Sequence, residues 1–163
     1  MSDDTIHIRE ARRDDLETLA RWAEAMALET EHKRLDSLTV RRGIAVLFDA
    51  VQRGRYFVAE RGNAPAGALM LTHEWSDWRN ADWWWIQSVY VEPGHRRCGV
   101  YAALYRHVHA LAEATPGVCG LRLYVEKDNG AAQRTYESLG MEDAGYRMYE
   151  DCLPWLKQAV RNG

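Results

Sequence analysis

The chain has 163 residues, which fits one domain when a domain averages about 150 residues. Hydrophobic residues make up 47% of it and charged residues 28%, the composition of a globular protein rather than a disordered or collagen-like one. The net charge of -3 provides no field that would concentrate the chain on nucleic acid or anionic lipid, so a dedicated nucleic-acid binder is disfavoured.

Signals for export, membrane insertion and metal binding are missing from the sequence. No segment approaches the roughly 18 consecutive apolar residues of a membrane span, and the start has no basic region followed by an apolar run. Cys98, Cys119 and Cys152 are widely separated, which argues against a disulfide framework or a structural zinc. We therefore expect a cytoplasmic single domain over residues 1–163, with no metal and no membrane contact.

Periodicity along the chain predicts strands and helices in a mixed order. Residues 5–11 alternate between polar and apolar, as a strand does, and Asp14 with Glu17 resembles a capping box that opens a helix. The predicted elements are a strand over 5–11, a helix from Asp14 with an apolar stripe from Leu16 to Ala27, a helix capped by Thr39 and closed by Gly54, strands over 55–60, 65–75 and 82–92, a helix from Gly99 to Pro116, a strand over 121–126, a helix capped by Asn129 and stopped by Gly140, and a last strand or hairpin over 141–150. This order predicts a mixed sheet with helices on both faces.

Five of the seven tryptophans lie close together, between Trp75 and Trp85. On a strand Trp83 and Trp85 share one face and Trp84 takes the other, so at least one of the three is expected to pack under a helix. The others, with Trp75 and Trp78, form either a pocket for a cationic ligand through cation–π contacts or a dimer interface.

The segment from Val89 to Tyr101 predicts a strand that passes through a tight polar turn directly into a helix. A helix N-terminus offers unpaired N–H groups and the positive end of the helix dipole. Arg96 and Arg97 add cationic charge there, and Gly99 allows close approach of the backbone. The turn is therefore suited to a diphosphate, although it matches neither G-x-x-x-x-G-K-[ST] nor G-x-G-x-x-G. Solvated arginines on an exposed turn are the alternative interpretation.

Two motifs about thirty residues apart resemble the GNAT superfamily of N-acetyltransferases. Residues 96–101 match its R/Q-x-x-G-x-G/A acyl-CoA motif, and Asn129 to Met141 match its N-x-x-A-x-x-x-Y-x-x-x-G-F segment. Two positions depart from the pattern: Tyr101 stands where the family usually has Gly or Ala, and Met141 replaces the common Phe. The predicted order of elements is also that of the family.

The resemblance implies an α/β fold whose mixed central sheet is splayed between its fourth and fifth strands, with helices on both faces. It further implies acetyl-CoA as the cosubstrate, with the pantetheine arm in the slot between those strands and the diphosphate on the turn. The positions that it implies for acetyl-CoA are Val89, Tyr90, Val91, Arg96, Arg97, Cys98, Gly99, Val100, Tyr101, Ala102, Asn129, Ala132 and Tyr136.

Tyr136 is similar to the family's general acid, which protonates the leaving thiolate of CoA. A tyrosine hydroxyl has an ordinary pKa of about 10 and can therefore donate a proton at pH 7. Spacing alone favours a core tyrosine on an apolar helix face. Because Asn129 and Gly140 stand in register with it, the acid is the preferred interpretation.

The attacking amine needs a route for its proton. Some family members place a Glu on the fourth strand, but Gln87 stands there in this chain and cannot act as a base. The remaining candidates for the base are Glu29, His73 and Glu74, each of which is otherwise a solvated surface group. The candidates for acceptor binding are Glu31, His32, Trp75, Trp78 and Gln87.

The sequence thus predicts an N-acetyltransferase that moves the acetyl group of acetyl-CoA to a primary amine of a small molecule or peptide by direct attack in a ternary complex. Cys98 lies at the diphosphate turn, out of reach of the thioester, which argues against an acyl-enzyme. The alternative is a non-catalytic acyl-CoA-binding module on the same fold, favoured by Gln87 and Tyr101. The identity of the acceptor stays open, and the resemblance implies a homodimer.

Overall fold

Five strands form one sheet in which neighbours along the chain are also neighbours in space. The computed structural model describes residues 5–161. The strands are β1 (Ile6–Glu10), β2 (Gly54–Arg61), β3 (Ala64–Ser76), β4 (Ala81–Val91) and β5 (Val118–Arg122). The first four pair antiparallel and β5 runs parallel to β4, so the predicted mixed sheet is confirmed.

Five helices accompany the sheet within the described residues. They are α1 (Leu16–Glu31), α2 (Ser37–Asp49), α3 (Val100–Glu113), α4 (Gly130–Ser138) and α5 (Pro154–Arg161). None of the helices within residues 5–161 is long and apolar enough to cross a membrane. The chain divides into two compact units, one ending at Leu123 and the other beginning at Tyr124, and the expectation of a single domain over 1–163 stays a prediction.

Helices cover both faces of the sheet in the first unit. Val58 of β2 belongs to a buried cluster with Trp22 of α1 and Ile44 of α2. The ring of the adjacent Phe57 lies 5.3 Å from the ring of His107 on α3. Because successive strand residues point to opposite faces, α1 and α2 cover one face and α3 covers the other.

The caps of the first two helices differ from the predicted ones. Asp15, not Asp14, ties down the start of α1: its carboxylate accepts from the Arg12 backbone N–H at 2.7 Å and from both terminal nitrogens of Arg9. Asp36, not Thr39, caps α2, because its Oδ2 accepts from the Thr39 N–H at 2.7 Å. Each prediction chose a capping residue type in the right turn but misplaced it, since several candidate caps lie within three residues of one another.

The predicted hairpin between β2 and β3 is confirmed. Its turn has positive φ at Gly62 (59°) and at Asn63 (62°). Two-residue hairpin turns of type I′ require positive φ at both central positions, which glycine and asparagine adopt more readily than other residues.

An irregularity in β4 and an early end of β5 open the sheet. Met70 pairs with Ser88 and Leu71 pairs with Ile86, so Gln87 is an extra, bulged residue. β5 pairs only with 82–85 of β4. Within the described residues, 86–91 therefore has a strand partner on the β3 side alone. This is the splay that the resemblance implied.

The second unit contains α4 and α5 and departs from the prediction at its tail. Residues 141–153 form no strand, so the strand or hairpin expected over 141–150 is wrong, and α5 was not predicted. A strand needs a partner edge that pairs with its backbone, and the local sequence does not reveal whether one is present. The strand predicted over 121–126 is likewise shifted, since β5 covers Val118–Arg122.

Candidate active site

The turn between β4 and α3 ends in a helix N-terminus whose first N–H groups make no helical hydrogen bond. Gly99 caps α3 in the left-handed region (φ 81°), and Arg97 is also left-handed (φ 61°). The first helical hydrogen bond runs from the Ala103 N–H to the Gly99 carbonyl at 3.0 Å, so the N–H groups of 100–102 precede it. A Cβ placed on Gly99 would meet no atom within 4 Å. The turn can therefore accept an anion at close range.

The last residues of β4 offer backbone groups on the side that β5 leaves open. The Glu92 N–H donates to the carbonyl of Ala66 in β3 at 2.9 Å, so Glu92 faces β3. Polar groups of successive strand residues point alternately to the two edges, so Tyr90 faces β3 whereas Val89 and Val91 face away. An extended ligand could pair with these two valines as a further strand would.

Glu29, Tyr90 and Arg96 form a cluster that joins α1, β4 and the turn. The Glu29 carboxylate accepts from the Tyr90 hydroxyl at 2.9 Å and from Arg96 Nη2 at 2.7 Å. The hydrogen bond from Arg96, and secondly that from Tyr90, lowers the pKa of Glu29. Glu29 is therefore held as a carboxylate and is a weaker base than an unpaired glutamate.

Trp22 and Glu92 support this cluster, and the sequence analysis missed both. The Trp22 indole N–H donates to Glu92 Oε1 at 2.5 Å, and Arg21 Nη2 lies 3.1 Å from the same oxygen. The Trp22 ring lies 6.1 Å from the ring of Tyr90. The spacing along α1 could have identified Trp22, because it follows Leu19 by three residues and therefore lies on the same apolar face.

Glu74 lies in a second cluster, at the junction of β4 and β5. It accepts from the Trp85 indole N–H and from Arg122 Nη1, the latter at 3.1 Å. The Arg122 guanidinium in turn lies 4.0 Å from the centroid of the Trp83 ring. A Cβ added to Gly120 would meet that ring at 2.5 Å, so the indole fits only against a glycine. No motif or spacing in the sequence indicated the role of Arg122.

The tryptophans have different surroundings. Trp84 is 3% exposed and is the one that packs in the core, as predicted for at least one of them. Trp83 and Trp85 are half-buried on the other face of β4. Trp75 and Trp78 are 60% and 89% exposed. Substrate contact and dimer contact stay predictions for the exposed pair.

The candidate bases, two on β3 and one on α1, lie beside different parts of β4. His73, which is exposed, stands opposite Trp84 in the register, and Glu74 stands opposite Trp83. At about 3.3 Å per residue these positions are roughly 16 and 20 Å from Val89 along the strand. Glu29, by contrast, contacts Tyr90, the next residue after Val89. The structure thus brings only Glu29 to the splayed end of β4.

The remaining acceptor-side candidates are spread over the first unit. Gln87 at the bulge donates its side-chain N–H to Thr72 Oγ1 at 2.9 Å. Glu31 pairs with Lys33, and His32 ends α1 in the left-handed region (φ 54°). Within residues 5–161 no group of three or more His, Cys, Asp or Glu side chains is arranged to hold a metal ion.

The second unit holds Asn129, Ala132 and Tyr136 on α4. Asn129 caps this helix, as predicted: its Oδ1 accepts from the Ala132 N–H at 3.1 Å. Its carbonyl oxygen is therefore engaged in the helix. Tyr136 is half-buried, and burial raises the pKa of its hydroxyl above the ordinary value.

Comparison with known proteins identifies relatives. The model of the acetyltransferase (GNAT) family matches residues 15–141. The solved structure of a possible acetyltransferase from Clostridium difficile 630 is 42% identical, with a TM-score of 0.85, and the match covers 91% of this chain and 97% of that one. No curated protein matches the sequence significantly.

Two aminoglycoside acetyltransferases share the fold at lower identity. One, from an uncultured soil metagenomic sample and in complex with sisomicin, is 18% identical, with a TM-score of 0.72 and coverage of 93% of this chain and 99% of that one. Another, in complex with CoA, is 15% identical, with a TM-score of 0.72 and coverage of 91% and 95%. At these identities the likeness shows the fold alone.

Proposed function

Since the chain belongs to the GNAT family of acetyltransferases, we propose that it transfers the acetyl group of acetyl-CoA to a primary amine by direct attack in a ternary complex. The observation that carries this proposal is the continuity of two groups of donors. The backbone of Val89 and Val91 on the side away from β3 leads directly into the turn whose N–H groups make no helical hydrogen bond. One elongated ligand with a diphosphate at one end and an amide-containing arm at the other fits both.

In this proposal the turn binds the diphosphate through the N–H groups of residues 97–102, and Arg97 adds charge. The backbone of Val89 and Val91 holds the pantetheine arm, and the Val89 N–H polarises the thioester carbonyl. The open space at Gly99 supports this assignment, because a side chain there would fill the place of the phosphate. The resemblance assigns Asn129 to the arm as well, and its Oδ1 is engaged in capping α4.

Acetyl-CoA supplies the acetyl group and a thiolate as leaving group. The lone pair of the neutral amine forms the new C–N bond as the C–S bond breaks, and Tyr136 donates its hydroxyl proton to the departing sulfur. The raised pKa of Tyr136 supports this role, because the hydroxyl keeps its proton near neutral pH and can donate it to the leaving sulfur.

The amine gives up its own proton to water in this proposal. An alkylamine of pKa about 10.4 is neutral to about one part in a thousand near pH 7.4. Glu29 is held by Arg96, and Glu74 is held by Arg122 and Trp85, so neither carboxylate is placed as an unpaired base. His73 lies too far along the sheet from Val89 for direct transfer. The pH then acts mainly through the neutral fraction of the amine.

The test is the release of free thiol from acetyl-CoA in the presence of candidate amines: polyamines, aminoglycosides, amino acids and peptides. We expect thiol release that depends on one of these classes. Thermal stabilisation of the protein by CoA, without acetylation of any amine, would instead support the non-catalytic acyl-CoA-binding module.

A further inference from the structure

We propose that Glu29 and Arg96 form a clasp that acetyl-CoA must open, so that Glu29 controls access to the cosubstrate slot and is released to the acceptor side only afterwards. The inference rests on the proposed function and names Glu29 as a positioning residue rather than the base. The clasp comprises the ion pair between Glu29 and Arg96 together with the two groups that hold it, the Tyr90 side chain and the Val91 carbonyl.

The Arg96 side chain ties its own turn to α1 and β4 through three contacts. Its Nη2 lies 2.7 Å from the Glu29 carboxylate of α1, and its Nε donates to the Val91 carbonyl of β4 at 3.0 Å. Its guanidinium carbon lies 5.5 Å from the centroid of the Tyr90 ring. Glu29 is tied to the same ring by the hydroxyl of Tyr90. The arginine of the turn is thus folded back along β4 rather than directed outward.

This position conflicts with a ligand in the slot. The Val91 carbonyl is one of the groups that face away from β3, where an extended arm would pair, and Arg96 already donates to it. A diphosphate on the neighbouring turn also offers Arg96 a partner of higher charge than one carboxylate. Binding of acetyl-CoA is therefore expected to exchange Glu29 for phosphate and to vacate the Val91 carbonyl.

The exchange has a consequence for the second substrate. Glu29 lies two residues before the end of α1, and its side chain is 43% exposed. Once Arg96 has left, Glu29 is an uncompensated carboxylate beside the splayed end of β4, able to hold the ammonium form of an incoming amine.

Calorimetric titration with CoA tests the clasp without requiring turnover. Glu29→Gln removes the competitor, so we expect CoA to bind about two- to five-fold more tightly, the range expected for an exposed ion pair. Arg96→Gln should bind CoA more weakly, and adding Glu29→Gln to it should have no further effect. A purely structural role for Glu29 would not increase the affinity.

Glu31→Gln is the matched control, since Glu31 is on the same helix, removes the same charge and pairs with Lys33 instead. Unchanged or weaker CoA binding by Glu29→Gln would overturn the clasp, and so would an equal gain in Glu31→Gln or a gain that persists with Arg96→Gln. If the wild-type protein did not bind CoA at all, the proposed function itself would fall. The two failures are therefore distinguishable.

Discussion

At the scale of single residues, the properties of the site depend on the hydrogen-bond or ion-pair partner of each polar side chain. Glu29 and Glu74 were equivalent as candidate bases, but each lies against an arginine, Arg96 and Arg122 respectively. The hydrogen bond from Arg96 lowers the pKa of Glu29, and Arg122 fixes the position of the Glu74 carboxylate. Both carboxylates therefore hold neighbouring groups in place.

The role of Tyr136 can be tested by removing one oxygen. We expect Tyr136→Phe to lower kcat by about a hundred-fold, because general acid catalysis of this kind contributes at least that much. Burial raises the pKa of Tyr136, so the wild-type rate should rise with pH toward the pKa of the amine without a decline from loss of the acid. Steady-state rates between pH 6.5 and roughly 9.5 check both expectations.

Tyr146→Phe serves as the control, because Tyr146 is in the same unit and is 83% exposed. Its activity should equal that of the wild type. If Tyr136→Phe retained full activity at every pH, Tyr136 would be a packing residue and not the acid.

Gly120 tests the packing of the second cluster. A Cβ at this position would overlap the Trp83 ring, which is also in contact with Arg122. We expect Gly120→Ala to lower the free energy of unfolding by about 1–3 kcal/mol, the usual cost of overpacking. Chemical denaturation followed by tryptophan fluorescence measures it. In Gly94→Ala, where the added Cβ meets nothing within 4 Å, the loss should be small, and equal losses in both variants would refute the packing assigned to Gly120.

At the scale of the elements, the site follows from where β4 loses its second partner. β5 pairs with the first part of β4 only, and the bulge at Gln87 lies just beyond the last paired residue, Trp85. Within the described residues, the end of β4 is thus an edge on the side away from β3. An exposed edge of this kind can take up an extended ligand through backbone hydrogen bonds alone.

Amide hydrogen exchange tests the direction of these backbone groups. The Val89 N–H faces away from β3, so we expect it to exchange faster than the Tyr90 N–H, which faces β3. CoA should slow the exchange at Val89 and leave Tyr90 little changed. Slow exchange at Val89 in the free protein would mean that the edge is already paired.

At the scale of the whole molecule, the sequence predicted the order of the first nine elements but not the long-range pairs. Periodicity shows which face of an element is apolar, and the two motifs located the turn and α4. Periodicity does not show which element a face meets. The sequence therefore could not predict two contacts: that of Glu29 with Arg96, which are 67 residues apart, and that of Glu74 with Arg122, which are 48 apart.

Register and the tail were unpredictable for the same reason. The bulge at Gln87 is defined by its pairing with β3, and the strand predicted over 141–150 has no strand to pair with among the described residues of its unit. The resemblance, by contrast, was carried by short local motifs that need no knowledge of pairing. The family was therefore the part of the prediction that the comparison confirmed most fully.

The central claim is that this chain moves an acetyl group from acetyl-CoA directly to an amine. Mass spectrometry of a single-turnover reaction with isotopically labelled acetyl-CoA tests it most directly. We predict labelled acetyl-amine and an equal amount of free CoA, with no label on the protein at any time. Labelled protein that forms before the product, or bound CoA with no acetylated amine, would contradict the claim.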